Sequence, residues 1–182
     1  KLYIDGTELT YSSETGTYRY VTLNTNNKLK VEANNRFATI SVNSSVPVQS
    51  VYERNHTVQT GTTETINVVV TSQNGEAATY VVELVKLSDN KNITSIKVND
   101  KESTKVSENL YKNVQSTSET AGNVVIVLAD DRASITAEVD GTTYDTTSMV
   151  DGKKTLSFSV PLTGVGTKVV NVQITAEDGT TR

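Results

Sequence analysis

The 182-residue chain contains no cysteine, which removes disulfide scaffolds, thiolate metal sites and thiol catalysis together. Tryptophan is also absent, and there are only 2 prolines, 2 phenylalanines and a single histidine, His56. One imidazole rules out a multi-histidine metal site, and in the polar segment YERNHT His56 reads as a solvated loop residue. A Ser-His-Asp assembly would have to recruit His56, and no Gly-x-Ser-x-Gly elbow accompanies it. Apolar runs such as VVIVLA at 124–129 fall far short of the roughly 20 residues that span a bilayer as a helix. Positive charge is in the minority, 17 Lys and Arg against 21 Asp and Glu, so the net charge of -4 gives no footprint for nucleic acid or an anionic membrane. Gly164, Val165 and Gly166 precede a strand-like run rather than a helix, and read as a turn rather than a phosphate cradle.

What remains is a chain rich in Thr, Val, Asn and Ser, with 35% hydrophobic and 21% charged residues, the balance of an ordered β protein. Apolar residues recur with period two. Leu29, Val31 and Ala33 alternate with Lys28, Lys30 and Glu32, and the same alternation returns at Ala38, Ile40, Val42, at Ile66, Val68, Val70, at Tyr80, Val82, Leu84, at Leu156, Phe158, Val160 and at Val170, Val172, Ile174. No window carries a sustained 3.6-residue stripe, and β-branched residues dominate, so the fold class is all-β.

The sequence is also duplicated. INVVVTSQNG at 66–75 matches VNVQITAEDG at 170–179, LYIDGTELT at 2–10 matches IKVNDKEST at 96–104, and VEANNRFAT at 31–39 matches VLADDRASI at 127–135. The order is the same in both copies, with Asn74-Gly75 and Asp178-Gly179 supplying turns that tolerate positive φ. A repeat of about 90 to 100 residues with about seven strands has the size of an immunoglobulin-like sandwich. The expected division is residues 1–87 and 88–182, with the seam in KLSDNKNI at 86–93. The first copy opens inside its first strand, without the lead that precedes Ile96. The second is expected to lack the closing strand that follows the hairpin in the first, ATYVVELV at 78–85.

The strand and hairpin pattern V-T-x-x-[ND]-G followed by T-Y-x-V-x-[LV] resembles the tandem cadherin-like β-sandwich modules of bacterial secreted and cell-surface proteins. Val70, Thr71, Asn74, Gly75, Thr79, Tyr80, Val82 and Leu84 carry the likeness in the first copy, and Ile174, Thr175, Asp178 and Gly179 in the second. The resemblance implies two tandem immunoglobulin-like, cadherin-like antiparallel sandwiches. It also implies an extracellular, secreted or surface-attached setting, flanking domains of the same chain as partners, and no catalytic, cofactor or metal residue. The expected role is a non-catalytic structural, spacer or interaction module, with a polysaccharide- or protein-binding adhesin segment as the rival.

Three finer possibilities remain at this level. Asp89, Asn90 and Asn92 near the seam, with Asn99-Asp100 and the acidic pair Asp130-Asp131, offer oxygens to calcium. The local count is below the six to eight that calcium takes, and Asn34-Asn35 in the first copy marks the acidic pair as a solvated turn. Tyr18 and Tyr20 share one face of TYRYV and form either a small stacking platform for sugars or a rim over the core, while Tyr80 is expected inside. A Lys-Asn isopeptide crosslink suits a cysteine-free surface protein, and its loss of ammonia is read directly from intact mass.

Overall fold

Alternating β-branched sequences form strands wherever one pleat face can be buried, and every regular element here is a strand. The computed structural model describes residues 1–116 and 118–182, and no helix occurs among them. By its internal contacts the chain divides into two units, Lys1–Leu87 and Ser88–Arg182.

Unit 1 contains β1 (Leu2–Ile4), β2 (Thr7–Glu8), β3 (Tyr11–Ser12), β4 (Thr17–Thr22), β5 (Asn26–Glu32), β6 (Thr39–Val42), β7 (Val48–Gln49), β8 (Val51–Thr57), β9 (Thr62–Thr71) and β10 (Ala77–Lys86). One sheet has the order β2-β1-β5-β8, the other β3-β4-β10-β9-β6-β7. β10 is antiparallel to β9 over its full length and parallel to β4 from Val82 to Lys86. Both sheets feed one core: Leu2, Ile4, Leu29, Val31 and Tyr52 from the first meet Ile40, Val42, Ile66, Val68, Val82 and Leu84 from the second. Removing such side chains from water contributes about 1.5–3 kcal/mol each.

Unit 2 contains β11 (Ile93–Val98), β12 (Lys101–Glu102), β13 (Thr104–Ser107), β14 (Leu110–Lys112), β15 (Ala121–Leu128), β16 (Ser134–Val139), β17 (Thr142–Tyr144), β18 (Thr147–Val150), β19 (Lys153–Pro161) and β20 (Asn171–Thr175). Its sheets run β12-β11-β15-β19-β18 and β17-β16-β20, with β13-β14 as a separate hairpin. The core joins Val124, Ile126, Leu128, Leu156, Phe158 and Val160 to Ile135, Ala137, Val139 and Ile174. Tyr144 stacks on Phe158 with centroids 4.4 Å apart.

The duplication extends to individual hydrogen bonds. Asp5-Gly6 and Asn99-Asp100 turn β1 into β2 and β11 into β12 with positive φ at both positions. Asp5 Oδ1 accepts from the Lys28 N–H at 2.7 Å, and Asn99 Oδ1 from the Asn123 N–H at 2.8 Å, so each turn is tied to the next strand of its sheet. In the later hairpins the Gly75 N–H donates to Ser72 O and the Gly179 N–H to Ala176 O, both at 3.0 Å.

The match of 31–39 to 127–135 needs one correction. Val31 pairs with Leu2 where Ile126 pairs with Ile96, and Thr39 pairs with Thr71 where Ser134 pairs with Thr175, so the whole segment shifts by one residue, Val31 matching Ile126 and Phe37 matching Arg132. Phe37 is accommodated outside the core, with the Arg36 guanidinium 4.5 Å from its ring centroid.

Ile66 is fully buried, whereas its counterpart Val170 is half-buried. Ile66→Ala is therefore expected to cost about 2–5 kcal/mol and Val170→Ala about 1 kcal/mol or less, read from the denaturant midpoint of the unit carrying the change. Equal losses would contradict this core assignment.

Candidate functional site

Three groups of side chains could do chemistry or bind. The first is aromatic. The hairpin β3-β4 sets Tyr11 opposite Tyr18, and their ring centroids lie 5.3 Å apart. Tyr80 on β10 meets Tyr18 edge to face at 6.4 Å. Tyr11 is 53% exposed and Tyr80 38%, so Tyr80 lies at the rim rather than in the interior expected for it. Tyr18 and Tyr20 are half-buried and pack against the core, so they do not make the exposed platform that their spacing allowed. The open aromatic surface is Tyr11-Tyr18-Tyr80, and Tyr11 was missed because its partner lies across a hairpin turn rather than two residues along a strand.

The second group surrounds His56. It lies in β8, not in a loop, opposite Asn27, and its side chain is largely buried. Tyr52 Oη is 3.3 Å from Nε2, and Glu64 Oε1 is 3.4 Å from Nδ1. Burial pushes the Tyr52 phenol up against the opposing influence of Arg54, so the hydroxyl stays protonated as a donor. With the Tyr52 hydroxyl donating to Nε2, Nδ1 is the ring nitrogen that presents a proton to Glu64. The order hydroxyl, imidazole, carboxylate is that of a nucleophilic relay. Tyr52 is nevertheless only 4% exposed, so its hydroxyl is closed to a substrate and the row acts as internal bracing. Asn27 Oδ1 and Glu64 Oε2 are buried here without a protein hydrogen bond, a cost that core packing around them offsets.

The third group corrects the reading of Asp130 as part of a solvated turn, while Asp131 beside it is exposed as that reading has it. Asp130 is 8% exposed and receives the Arg132 side chain through Nε at 3.0 Å and Nη2 at 2.9 Å. Ser88 Oγ donates to Oδ2, the oxygen that also accepts from Arg132 Nη2. The Ser88 N–H donates to Glu177 Oε2 at 2.9 Å, and Arg132 Nη1 lies 3.4 Å from that same oxygen. The Arg132 hydrogen bonds hold the Asp130 carboxyl down at about 2, outweighing the opposing effect of burial, with Ser88 adding to the shift. This clamp ties the first residue of unit 2 to the β15-β16 turn and to the hairpin after β20. The sequence concealed it because Ser88 and Glu177 are far from Asp130 along the chain.

Two of the calcium candidates are engaged elsewhere. Asn90 Oδ1 accepts from the Asn92 N–H at 3.0 Å, and Asn99 Oδ1 is committed to β15. No group of three His, Asp or Glu side chains suited to a metal occurs among the described residues, Asp89 and Asp131 included.

Because the folded carboxyl of Asp130 titrates below its unfolded value, its contribution to stability is complete above about pH 4 and is lost as pH falls toward 2. Asp130→Asn is expected to cost about 1–2 kcal/mol at neutral pH, a value reduced for the partly exposed Arg132. It is also expected to flatten the stability profile between those pH limits; an unchanged acid profile in the variant would refute the clamp. Millimolar calcium or a chelator is expected to leave the melting curve unmoved.

Comparison with known proteins places little beside this chain. No family model matches it, and no curated protein matches its sequence. Among solved structures, the Bacteroides ovatus mixed-linkage glucan utilization protein SGBP-B, in complex with a mixed-linkage heptasaccharide, is 15% identical with a TM-score of 0.31; the match covers 99% of this chain and 45% of that one. The secreted serine protease VesC from Vibrio cholerae is 12% identical with a TM-score of 0.27, covering 91% of this chain and 45% of that one. The chain thus spans less than half the length of either, and likenesses this distant carry no argument about what it does.

Proposed function

We propose that the chain is a non-catalytic structural, spacer or interaction module of a multidomain bacterial protein that works outside the cell, secreted or attached to its surface. The observation that carries this reading is the duplication, which repeats strand order, turn conformation and turn-to-strand hydrogen bonds in units 1 and 2. A unit copied at that level is selected as a building block, and repetition along a chain extends reach or multiplies contact surface. The polar side chains with the most developed networks support this role, because both the His56 and the Asp130 groups brace the fold around them. The freedom from cysteine suits a module that folds without regard to redox conditions.

A second reading is favoured by one observation, the open tyrosine surface Tyr11-Tyr18-Tyr80, whose rings offer faces and hydroxyls to a sugar. In this reading the module is an adhesin segment that binds a polysaccharide.

Antibodies against these residues are expected to label intact cells of the source bacterium or its culture medium, and labelling confined to permeabilised cells would overturn the extracellular assignment. On polysaccharide columns and glycan arrays the spacer reading expects no retention. Retention that weakens about threefold to tenfold in Tyr11→Ala or Tyr80→Ala would replace it with the adhesin reading.

A further inference from the structure

The turn that carries β9 into β10 and the turn that follows β20 are closed by the same bonds. In the first, the Gly75 N–H donates to Ser72 O at 3.0 Å, the Ser72 N–H to Glu76 O at 2.8 Å, and the Glu76 N–H to Asn74 Oδ1 at 3.3 Å. In the second, the Gly179 N–H donates to Ala176 O at 3.0 Å, the Ala176 N–H to Thr180 O at 2.8 Å, and the Thr180 N–H to Asp178 Oδ1 at 2.8 Å. Both glycines have positive φ, 89° and 85°. One turn therefore holds a side-chain amide where the other holds a carboxylate.

The amide is placed against its own backbone. An Oδ1 that accepts from the N–H two residues on must fold over the peptide between, which lays Asn74 Cγ beside the Gly75 nitrogen. Asn35 and Asn90 make the same bond, to the Phe37 N–H at 2.9 Å and the Asn92 N–H at 3.0 Å. The nitrogens they fold over belong to Arg36 and Lys91, whose Cβ atoms and side chains crowd the approach. Gly75 has no such cover: it is exposed, nothing stands within 4 Å of where its Cβ would be, and Asn-Gly occurs only here in the sequence. The Ser72 hydroxyl, 3.0 Å from Glu76 O, also turns to Asn74 Oδ1. Oδ1 is thus met by a hydroxyl and a backbone N–H, at the oxygen where negative charge develops when Cγ is attacked.

We propose that Asn74 is a modification site, at which the side-chain amide is lost to intramolecular attack and unit 1 acquires the acidic turn that unit 2 carries in its sequence. The Gly75 nitrogen, its proton removed by hydroxide, bonds to Asn74 Cγ. The Cγ–Nδ2 bond breaks, and Nδ2 takes the electron pair and a proton from water to leave as ammonia. A second water opens the resulting five-membered imide. Opening at Cγ gives aspartate with the ordinary backbone, and opening at the main-chain carbonyl carbon of residue 74 gives isoaspartate, whose backbone runs through the side-chain methylene. The aspartate product fits the bonds already present, as Asp178 does. The isoaspartate product lengthens the chain inside the Gly75 to Ser72 bond and loosens the entry to β10.

The test incubates the 182-residue chain at about pH 8, folded and in urea, and follows the exchange of NH2 for OH at each asparagine by peptide mapping and mass spectrometry. In the folded chain, conversion at Asn74 is expected to be at least about tenfold faster than at Asn35 or Asn90. It is also expected to proceed at no less than about a tenth of its rate in urea, because the turn leaves the reacting atoms together. Similar rates at the three asparagines, or a stronger slowing by the fold, would overturn the proposal. Arg36→Gly bares the nitrogen beside Asn35 and is expected to speed conversion there at least about tenfold; an unchanged rate would overturn the part assigned to the bare nitrogen. Asn74→Asp is expected to keep the thermal midpoint of unit 1, and a lowered midpoint would overturn the claim that the turn accepts the aspartate product.

Discussion

A strand in the middle of a two-layer β fold must satisfy its backbone on both sides and fill the core with alternate side chains, and in unit 1 everything else depends on β10 meeting that demand. Among the described residues it alone joins the β3-β4 hairpin to the rest of its sheet. Its Val82 and Leu84 stand between β4 and β9 and close the interior that Leu29, Val31 and Ile40 enter from other strands. Even the aromatic surface exists because β10 brings Tyr80 beside the Tyr11-Tyr18 pair. Pairing, burial and surface chemistry in this unit are thus different aspects of one long-range contact.

Around that framework, polar groups serve as fasteners. Asp5 and Asn99 accept left-handed backbone geometry at little cost and place a side-chain oxygen on the neighbouring strand, so each turn is fixed by the sheet it serves. Deeper groups do the same work with charge or burial: Tyr52-His56-Glu64 in unit 1, Ser88-Asp130-Arg132-Glu177 in unit 2. At the place of Asp130 the other copy keeps only the backbone bond, Asn35 Oδ1 accepting from the Phe37 N–H as Asp130 Oδ1 accepts from the Arg132 N–H, and the uncharged Phe37 stands where Arg132 does. The repeat therefore preserves its hydrophobic pattern and turns while its polar bracing has diverged, as expected when packing sets the fold and hydrogen bonds make it unique.

Much of the fold was legible in the sequence because it is written in short-range signals. Period-two alternation at Leu29-Val31 or Leu156-Phe158-Val160 and the Asn74-Gly75 turn need only a few residues to be recognised. What eluded reading was pairing across distance. Nothing local to TYRYV announces that β4 runs parallel to a strand some sixty residues later, and nothing near His56 reveals Glu64 beneath it. Asp130 misled for the same reason: the neutral asparagines set against it in the repeat made it look like surface, whereas its partners Ser88 and Glu177 lie far away in sequence. The alignment of 31–39 misled differently, since its one-residue shift is visible only once Val31 is seen opposite Leu2 and Thr39 opposite Thr71. Of the aromatic surface, Tyr18 was anticipated and Tyr11 was not.

The charged clamp at Ser88 has a mechanical meaning. When tension is applied along the backbone, the load enters unit 2 at Ser88, and the first bonds to bear it are those from its amide to Glu177 and from its hydroxyl to Asp130. Those bonds reach separate parts of the unit, the β15-β16 turn and the loop that follows β20, so a pull on this residue is shared between two anchorages. An anchored starting point of this kind fixes the entry of the chain into unit 2 at two places at once.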